Sequence, residues 1–207
     1  METAVKICGI TRVEDALAAT RAGAHAIGLV FYVPSPRYVA PARAADIIRA
    51  FPPFVTAVGL FVDPGAEEVR STLAAAPLQL LQFHGAETPA FCRQFARPYM
   101  KTVRMKPGVD LLQYAQNYHD ARALLLDSYV EGLHGGSGAV FDWSLVPRDL
   151  PLPVVLSGGL TVENVGEAVR KVRPAAVDVS SGVESAKGIK DARKIAAFIK
   201  EVRSAGV

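Results

Sequence analysis

Short apolar runs alternate with amphipathic stretches along the whole sequence, and this alternation constrains the fold more than any other feature. Each apolar run has three to seven residues, mostly Val, Ile, Leu, Ala or Phe, as is typical of strands buried on both faces. The eight predicted strands are Ala4–Cys8, Ala26–Phe31, Val55–Phe61, Leu78–Phe83, Tyr99–Val103, Ala123–Leu126, Val154–Leu156 and Ala176–Val179. Strict alternation of strands and helices implies a parallel sheet, and eight units allow closure into a (β/α)8 barrel of the α/β class. Periodicity alone leaves an open, doubly wound sheet as the alternative.

Capping signals place the helices between these strands. Thr11 and Glu14 have the spacing of a capping box before a helix at Asp15–Ala22. Asp63-Pro64 and Thr88-Pro89 each combine a capping side chain with a proline at the first helical position. The other predicted helices are Ala42–Ala50, Val109–Asn117, a helix capped by Thr161 that runs to Arg170, Asp191–Val202, and a short helix near Trp143.

Composition narrows the class of protein. At about 150 residues per domain, residues 1–207 are expected to form one domain. The chain is 50% apolar and 21% charged, which excludes an intrinsically disordered protein. The net charge of +3 and the absence of a basic run of five residues argue against nucleic acid as a partner. No stretch approaches the roughly 18 uncharged apolar residues of a membrane span, so no membrane partner is expected. Two cysteines are too few for a disulfide framework, and reduced thiols fit a cytoplasmic location.

Two titratable side chains stand where catalytic groups of a barrel lie, at the carboxyl ends of its strands. Cys8 ends the first strand, and Lys6 shares its inward face. A helix start near Thr11 and the Lys6 ammonium would both favour the reactive thiolate. Asp127 directly follows three leucines at the end of the sixth strand, which makes it a candidate acid or base. The structural alternatives are a packed cysteine and a turn-forming aspartate.

Two further side chains are candidate ligand contacts. Arg37 projects from the proline-stiffened loop after the second strand, where its guanidinium could bind a carboxylate or a phosphate. His84 shares a face with Gln82 at the end of the fourth strand, directed at the barrel mouth. The alternatives are a surface arginine and a hydrogen-bonded structural histidine. The histidines and cysteines lack the spacing of metal ligands, so no metal is expected.

Glycine-rich ends of the seventh and eighth strands predict a phosphate site. Glycines let backbone amides approach phosphate oxygens closely, and barrel enzymes commonly hold phosphate in these two loops. The candidate residues are Gly158, Gly159, Leu160, Ser180, Ser181 and Gly182. Gly135-Gly136-Ser137-Gly138 could serve as a lid or as further anion-binding amides. The alternative is a set of ordinary glycine turns, since neither a P-loop nor a dinucleotide fingerprint is present.

Closure of the barrel predicts one specific contact. The eighth strand must neighbour the first, so Asp178 and Lys6 would both point inward from adjacent strands. Because a buried lysine is costly unless it is paired, we expect a Lys6–Asp178 ion pair.

Seven motifs occur in one order along the chain. They are Lys6-Ile7-Cys8-Gly9-Ile10-Thr11, Ser35-Pro36-Arg37, Gln82-Phe83-His84-Gly85, Leu126-Asp127-Ser128, Gly135-Gly136-Ser137-Gly138 with Phe141-Asp142-Trp143, Leu156-Ser157-Gly158-Gly159-Leu160, and Asp178-Val179-Ser180-Ser181-Gly182-Val183-Glu184. In these motifs the sequence resembles the phosphoribosylanthranilate isomerase family from Val5 to about Lys194. The resemblance implies a (β/α)8 barrel of the ribulose-phosphate-binding type, a small phosphorylated substrate, no cofactor, and a monomer or homodimer. It implies an Amadori rearrangement of N-(5-phosphoribosyl)anthranilate to 1-(2-carboxyphenylamino)-1-deoxyribulose 5-phosphate, in tryptophan biosynthesis.

The resemblance also implies roles for individual residues. Cys8 matches the family's general base and Asp127 its general acid, so Cys8 is expected as a thiolate near neutral pH and Asp127 as the protonated acid when substrate is bound. Arg37 matches the residue that contacts the anthranilate carboxylate. The amides of Gly159, Leu160, Ser181 and Gly182 would hold the phosphate, while His84 and Ser180 would lie at the mouth without an assigned role.

Three other functions stay open at this point. The histidine-pathway aminoaldose isomerase shares the two phosphate loops, but it has an aspartate where this chain has Cys8. Indole-glycerol-phosphate synthase requires strand-borne lysine and glutamate residues that are not evident here. A non-catalytic phosphate-binding barrel would need neither Cys8 nor Asp127.

Overall fold

Eight parallel strands close into a barrel in the computed structural model, which describes residues 2–128 and 140–206. The strands are β1 (Ala4–Ile7), β2 (Ala26–Val30), β3 (Thr56–Phe61), β4 (Leu80–Phe83), β5 (Tyr99–Met105), β6 (Ala123–Ser128), β7 (Val154–Leu156) and β8 (Ala176–Val179). Each strand pairs with its neighbours in sequence, and β1 pairs with β8. The barrel prediction is therefore confirmed, and the open sheet is excluded because no edge remains.

Seven α-helices surround the barrel in the described part of the chain. They are α1 (Val13–Ala22), α2 (Pro41–Arg49), α3 (Ala66–Ala75), α4 (Pro89–Arg93), α5 (Leu111–Asn117), α6 (Val165–Val172) and α7 (Ala192–Ala205). The described connections also contain two 3₁₀ helices, Trp143–Leu145 and Ser181–Val183, and a hairpin of β9 (Glu184–Ala186) and β10 (Ile189–Lys190). The short helix expected near Trp143 is confirmed, whereas Gly135-Gly136-Ser137-Gly138 lies outside the described residues. Among the described helices, none has the length and apolarity needed to cross a membrane.

The predicted helix starts have mixed outcomes. Thr88 caps α4, because its hydroxyl accepts a hydrogen bond from the Phe91 amide. The capping box at Thr11 is wrong, because the Thr11 hydroxyl instead donates to the Gly188 carbonyl at 2.7 Å and α1 begins after Arg12. The cap at Asp63 is also wrong: Gly65 precedes α3, and the Asp63 carboxylate accepts from the Ala86 amide. In both errors a tertiary contact uses the side chain that the local pattern assigns to a cap.

The helix after β7 starts three residues later than a cap at Thr161 predicts, at Val165. Asn164 organises the intervening turn, accepting from the Thr161 amide at 2.8 Å and donating to the Gly159 carbonyl at 2.9 Å. Thr161 therefore lies in the loop instead of capping the helix. The later start lengthens the loop that carries the predicted phosphate-binding glycines.

The barrel interior changes from apolar to polar along the strand direction. Its lower layer is a cluster of buried residues, Val58, Met100, Ala123, Leu125 and Val155. Inward-facing positions nearer the carboxyl ends carry Lys6, Gln82, Asp127 and Asp178, all at most 5% exposed. The apolar layer supports the fold, while the polar layer lies at the end where barrel enzymes carry their sites.

Candidate active site

One cleft at the carboxyl ends of the strands brings together nearly all the predicted site residues. The cleft, with its mouth, encloses about 670 Å³ of empty volume. Nine of the predicted site residues line it: Cys8, Arg37, His84, Asp127, Gly158, Gly159, Leu160, Ser180 and Ser181. Gly182 lies just behind, packed so that a Cβ there would collide with the Leu160 carbonyl oxygen. A larger groove at the opposite end of the barrel, near Glu2 and Arg173, contains none of them. The candidate site is therefore the smaller cleft.

Lys6 and Asp178 form the predicted ion pair. Lys6 Nζ lies 2.9 Å from Asp178 Oδ1, and the two side chains are 4% and 6% exposed. Asp178 and Cys8 raise the pKa of Lys6 above its usual range in spite of burial, so the ammonium stays charged. Gly28 on β2 makes room for this arrangement, since a Cβ there would lie 2.8 Å from Cys8 Sγ and 3.0 Å from Lys6 Nζ. A fixed positive charge therefore lies next to the cysteine.

The protonation state of Cys8 differs from the prediction. Burial raises the pKa of the Cys8 thiol above its ordinary range, and the opposing attraction of Lys6 does not compensate. Asp178 adds to the rise, while Lys190 acts weakly against it. The expectation that Cys8 is a thiolate near neutral pH is therefore wrong for the ligand-free cleft, because the sequence does not show how completely the sulfur is buried.

Asp127 is held by two neighbours. Its Oδ1 accepts a hydrogen bond from the Ser128 amide at 3.0 Å, and its Oδ2 lies 3.1 Å from His84 Nε2 in a contact too bent for a well-formed hydrogen bond. His84 Nδ1 lies 3.2 Å from both the Gln82 amide nitrogen and the Thr102 hydroxyl. With the Gln82 amide donating to Nδ1, a neutral His84 carries its proton on Nε2, facing the carboxylate. Gln82 and Thr102 thus fix the ring that touches Asp127.

Arg37 is firmly paired, which the sequence does not indicate. Its Nε and Nη2 donate to Glu184 Oε1 and Oε2 at 2.7 and 2.8 Å. Lys190 Nζ donates to the same carboxylate at 2.8 Å and to the Ser180 carbonyl and hydroxyl oxygens at 3.0 and 3.2 Å. Although burial works against its charge, Arg37 and Lys190 hold the pKa of Glu184 below its usual range. Neither Glu184 nor Lys190 is among the predicted site residues, because both lie on the hairpin after β8 and contact the cleft residues Arg37 and Ser180 from behind.

The loops after β7 and β8 present unpaired backbone donors. Gly158 and Gly159 adopt φ angles of +84° and +64°, which favour glycine. Within the described residues, no acceptor takes a hydrogen bond from the amides of Gly159, Leu160, Ser181 or Gly182. Ser181 and Gly182 form the first turn of a 3₁₀ helix, whose amides have no partner inside the helix. These four donors, three of them on residues that line the cleft, can therefore bind an anion.

Comparisons with known proteins agree with this geometry. The sequence profile of the family N-(5'-phosphoribosyl)anthranilate (PRA) isomerase matches residues 5–201. An N-(5'-phosphoribosyl)anthranilate isomerase from Dechloromonas aromatica is 60% identical over 205 residues, covering 99% of this chain and 98% of the relative. The crystal structure of phosphoribosyl anthranilate isomerase from Thermotoga maritima superposes with a TM-score of 0.90 at 41% identity, covering 98% of this chain and 99% of the other. A phosphoribosyl anthranilate isomerase in complex with reduced 1-(o-carboxyphenylamino)-1-deoxyribulose 5-phosphate gives a TM-score of 0.87 at 42% identity, with coverage of 98% and 99%. The chain therefore belongs to the PRA isomerase family.

Proposed function

We propose that this protein converts N-(5-phosphoribosyl)anthranilate to 1-(2-carboxyphenylamino)-1-deoxyribulose 5-phosphate, with Cys8 as the general base and Asp127 as the general acid. The observation that carries the assignment of roles is that both side chains line one cleft, from β1 and β6, together with Arg37 and the two glycine loops. The substrate is anionic at both ends, and the cleft offers a guanidinium and a set of free amides.

The reaction needs only proton transfers. Asp127 gives a proton to the furanose oxygen as the bond from carbon 1 to that oxygen breaks and the anilino nitrogen forms an iminium. Cys8 then removes the proton on carbon 2, and the released electron pair forms the enolamine. Tautomerisation protonates carbon 1 and removes the proton of the 2-hydroxyl, which yields the ketone. Substrate and product are isomers, so no oxidant, metal or cofactor enters the balance, and each positioned acid or base contributes typically about 10²–10⁴-fold.

The state of Cys8 in the free cleft adds one requirement. The thiol must lose its proton before it can accept the proton on carbon 2. Lys6 is the group that works most strongly against burial, since it lowers the pKa of the thiol more than any other charge nearby. We infer that a minor thiolate population, stabilised by Lys6, is the active form of the free enzyme.

Binding at both ends would place the ribose between the acid and the base. Arg37 would hold the anthranilate carboxylate, and the amides of Gly159, Leu160, Ser181 and Gly182 would hold the phosphate. Gly158 would allow the first of these loops to approach the ligand, and Ser180 and His84 also line the cleft. Such positioning supplies the proximity part of the rate enhancement.

The other functions have less support. A histidine-pathway isomerase would carry an aspartate in place of Cys8. A phosphate-binding barrel without turnover gives no reason to bury Cys8 and Asp127 in the same cleft. We further propose a cytoplasmic location, which the free thiols of Cys8 and Cys92 support. We also propose that the protein is a monomer or a homodimer.

The proposal is tested by conversion of freshly prepared phosphoribosylanthranilate, followed by chromatography of substrate and product with a metal chelator present. We expect turnover by the unmodified protein and a loss of about 10²-fold or more in kcat for Cys8→Ala. Cys92→Ala is the matched control, because Cys92 is the other buried cysteine and lies in α4, outside the cleft. Turnover by Cys8→Ala at the rate of Cys92→Ala would remove Cys8 from the mechanism.

A further inference from the structure

The contact between Arg37 and Glu184 leaves a defined part of the guanidinium for a ligand. A guanidinium has five N–H donors, which form two edges that can each hold a carboxylate. Glu184 occupies the edge made by Nε and Nη2. The other edge is made by Nη1 and the second proton of Nη2, and in the described part of the chain no acceptor lies on Nη1. Arg37 lines the cleft, so this second edge is the one available to a substrate carboxylate.

The group behind Arg37 is buried and its charges are unequal. The side chains of Arg37, Glu184 and Lys190 are 13%, 6% and 1% exposed. Two cations and one anion leave a net charge of +1 for the group. The ammonium of Lys190 has three protons and three acceptors, namely Glu184 Oε1 and the carbonyl and hydroxyl oxygens of Ser180. Lys190 is therefore saturated, and it supplies charge to the site without a donor for the ligand.

The hairpin after β8 fixes Glu184 in place. Glu184 and Lys190 are partners across β9 and β10. The hairpin is tied to the rest of the barrel, since the Lys190 amide donates to Asp15 Oδ2 at 3.1 Å and Lys194 Nζ donates to the Glu184 carbonyl at 2.9 Å. On the other side, Gly9 at φ +72° leaves space for the Arg37 stem, because a Cβ there would lie 2.5 Å from Arg37 Cδ. Both the stem and the head of Arg37 are thus held.

We propose that Glu184 is a positioning residue for Arg37, and that Glu184 and Lys190 together make the site selective for a substrate bearing one aromatic carboxylate. Glu184 turns the free edge of Arg37 toward the cleft, and Lys190 restores the positive charge that Glu184 cancels. Without Glu184, two cations would face each other and no partner would orient the guanidinium. This inference rests on the proposed function, because it names what recognises the substrate's carboxylate.

The test compares two stable ligands by calorimetry. One is reduced 1-(o-carboxyphenylamino)-1-deoxyribulose 5-phosphate, and the other is the same compound with a phenylamino group that lacks the carboxylate. We expect Glu184→Gln to lower the affinity for the first ligand by about 10-fold or more, which is the effect of a misplaced charged hydrogen bond. The affinity for the second ligand should fall by less than about 2-fold. In turnover, KM should rise with the loss of affinity while kcat changes by less than about 3-fold. Equal weakening of both ligands would overturn the proposal.

A double-mutant cycle separates positioning from direct contact. If Glu184 acts through Arg37, adding Glu184→Gln to Arg37→Ala should leave the affinity ratio of the two ligands unchanged. A further loss of about 10-fold in the double variant would instead show an action independent of Arg37. Glu184→Asp retains the charge and should restore part of the selectivity, which keeps the test decisive if Glu184→Gln folds poorly.

Glu87→Gln is the matched control, because Glu87 is also a buried glutamate paired with a lysine, Lys101, at 2.7 Å. It should lower stability without changing the ratio of the two affinities.

Failure of the proposed function would give a different result from failure of the role of Glu184. If the unmodified protein binds both ligands equally, the carboxylate assignment of Arg37 fails. If the unmodified protein discriminates and Glu184→Gln discriminates equally well, only the role of Glu184 fails.

Discussion

Lys6 Nζ lies 2.9 Å from Asp178 Oδ1 across the seam where β8 closes onto β1. Lys6 is two residues before Cys8 on the same strand and shares its inward face. Its ammonium therefore acts on the sulfur of Cys8 as well as on the carboxylate of Asp178. Its two charges affect Cys8 in opposite directions, and the attraction of Lys6 exceeds the repulsion of Asp178. The ion pair therefore acts with burial, the larger influence, on the pKa of the proposed base.

Lys6→Met should shift the pH dependence of the reaction. Removing the ammonium removes the strongest influence that lowers the pKa of Cys8, so the thiolate forms at higher pH. The rising limb of kcat/KM, which reports the free enzyme, should move toward alkaline pH. One pKa unit corresponds to a loss of about 10-fold in thiolate at neutral pH. The shift is checked independently by ultraviolet titration of the thiolate in a Cys92→Ala background.

The single variant leaves Asp178 buried without a partner, which costs about 3–5 kcal/mol in comparable pairs. The double variant Lys6→Met, Asp178→Asn removes both charges of the pair. It tests whether Lys6 lowers the pKa of Cys8 without leaving a buried charge unpaired. Because Lys6 influences Cys8 more than Asp178 does, the pKa of the thiol should still rise in the double variant, although less. An unchanged titration in the double variant would show that the pair serves folding alone.

Asp127→Asn should reduce kcat by about 10²-fold or more, because the amide cannot deliver a proton to the furanose oxygen. The amide oxygen can still accept from the Ser128 amide, so binding of the reduced product analogue should change little. Calorimetry checks binding and product chromatography checks turnover. Asp149→Asn, at an exposed position, is the control for a change of one charge. A kcat near that of the control would exclude Asp127 as the acid.

Arg37→Ala should separate the two ends of the ligand. We expect affinity for the substrate to fall by about 10-fold or more, the effect of a lost charged hydrogen bond, while affinity for inorganic phosphate is largely retained. Competition by phosphate during turnover measures both quantities in one series. An equal fall in both affinities would place Arg37 at the phosphate instead.

Gly182→Ala should weaken phosphate binding. A Cβ at this position would collide with the Leu160 carbonyl oxygen, so the two loops that present the four unpaired amides must separate. Gly65→Ala is the matched control, since a Cβ there meets no atom within 4 Å. The affinity for inorganic phosphate, measured by calorimetry, should fall in Gly182→Ala and not in Gly65→Ala. Equal affinities would remove this loop contact from the phosphate site.

The features predictable from sequence are those that strand alternation determines. Side-chain alternation and barrel closure place Lys6 opposite Asp178. These two rules can be applied without knowing the structure of any loop. Contacts made by connections are not predictable in this way. Glu184 reaches Arg37 from 147 positions away through a hairpin, and the Thr11 hydroxyl goes to Gly188 of the same hairpin instead of capping α1. No local pattern encodes either contact.

Protonation is also outside the reach of sequence patterns. The residues near Cys8 in sequence suggest a thiolate, yet the balance depends on how deeply the sulfur is buried. Burial arises from side chains on other strands, such as Val30 on β2 and Leu60 on β3, which pack around Cys8. The position of the strand-end candidates in one cleft is thus predictable from the sequence, whereas their charge states require the packed structure.

Cys92 should make the stability of the protein fall at alkaline pH. Burial in α4 raises the pKa of its thiol from 9.0 to about 12. Between these values the unfolded chain has released the proton and the folded chain has kept it, so the unfolded state binds fewer protons and the free energy of unfolding decreases as pH rises. One such group contributes at most about 1.4 kcal/mol per pH unit. Urea unfolding across this range should give a shallower slope for Cys92→Ala than for the unmodified protein, whatever the offset caused by the lost side chain. Parallel slopes would mean that the Cys92 thiol ionises at the same pH in the folded and unfolded states.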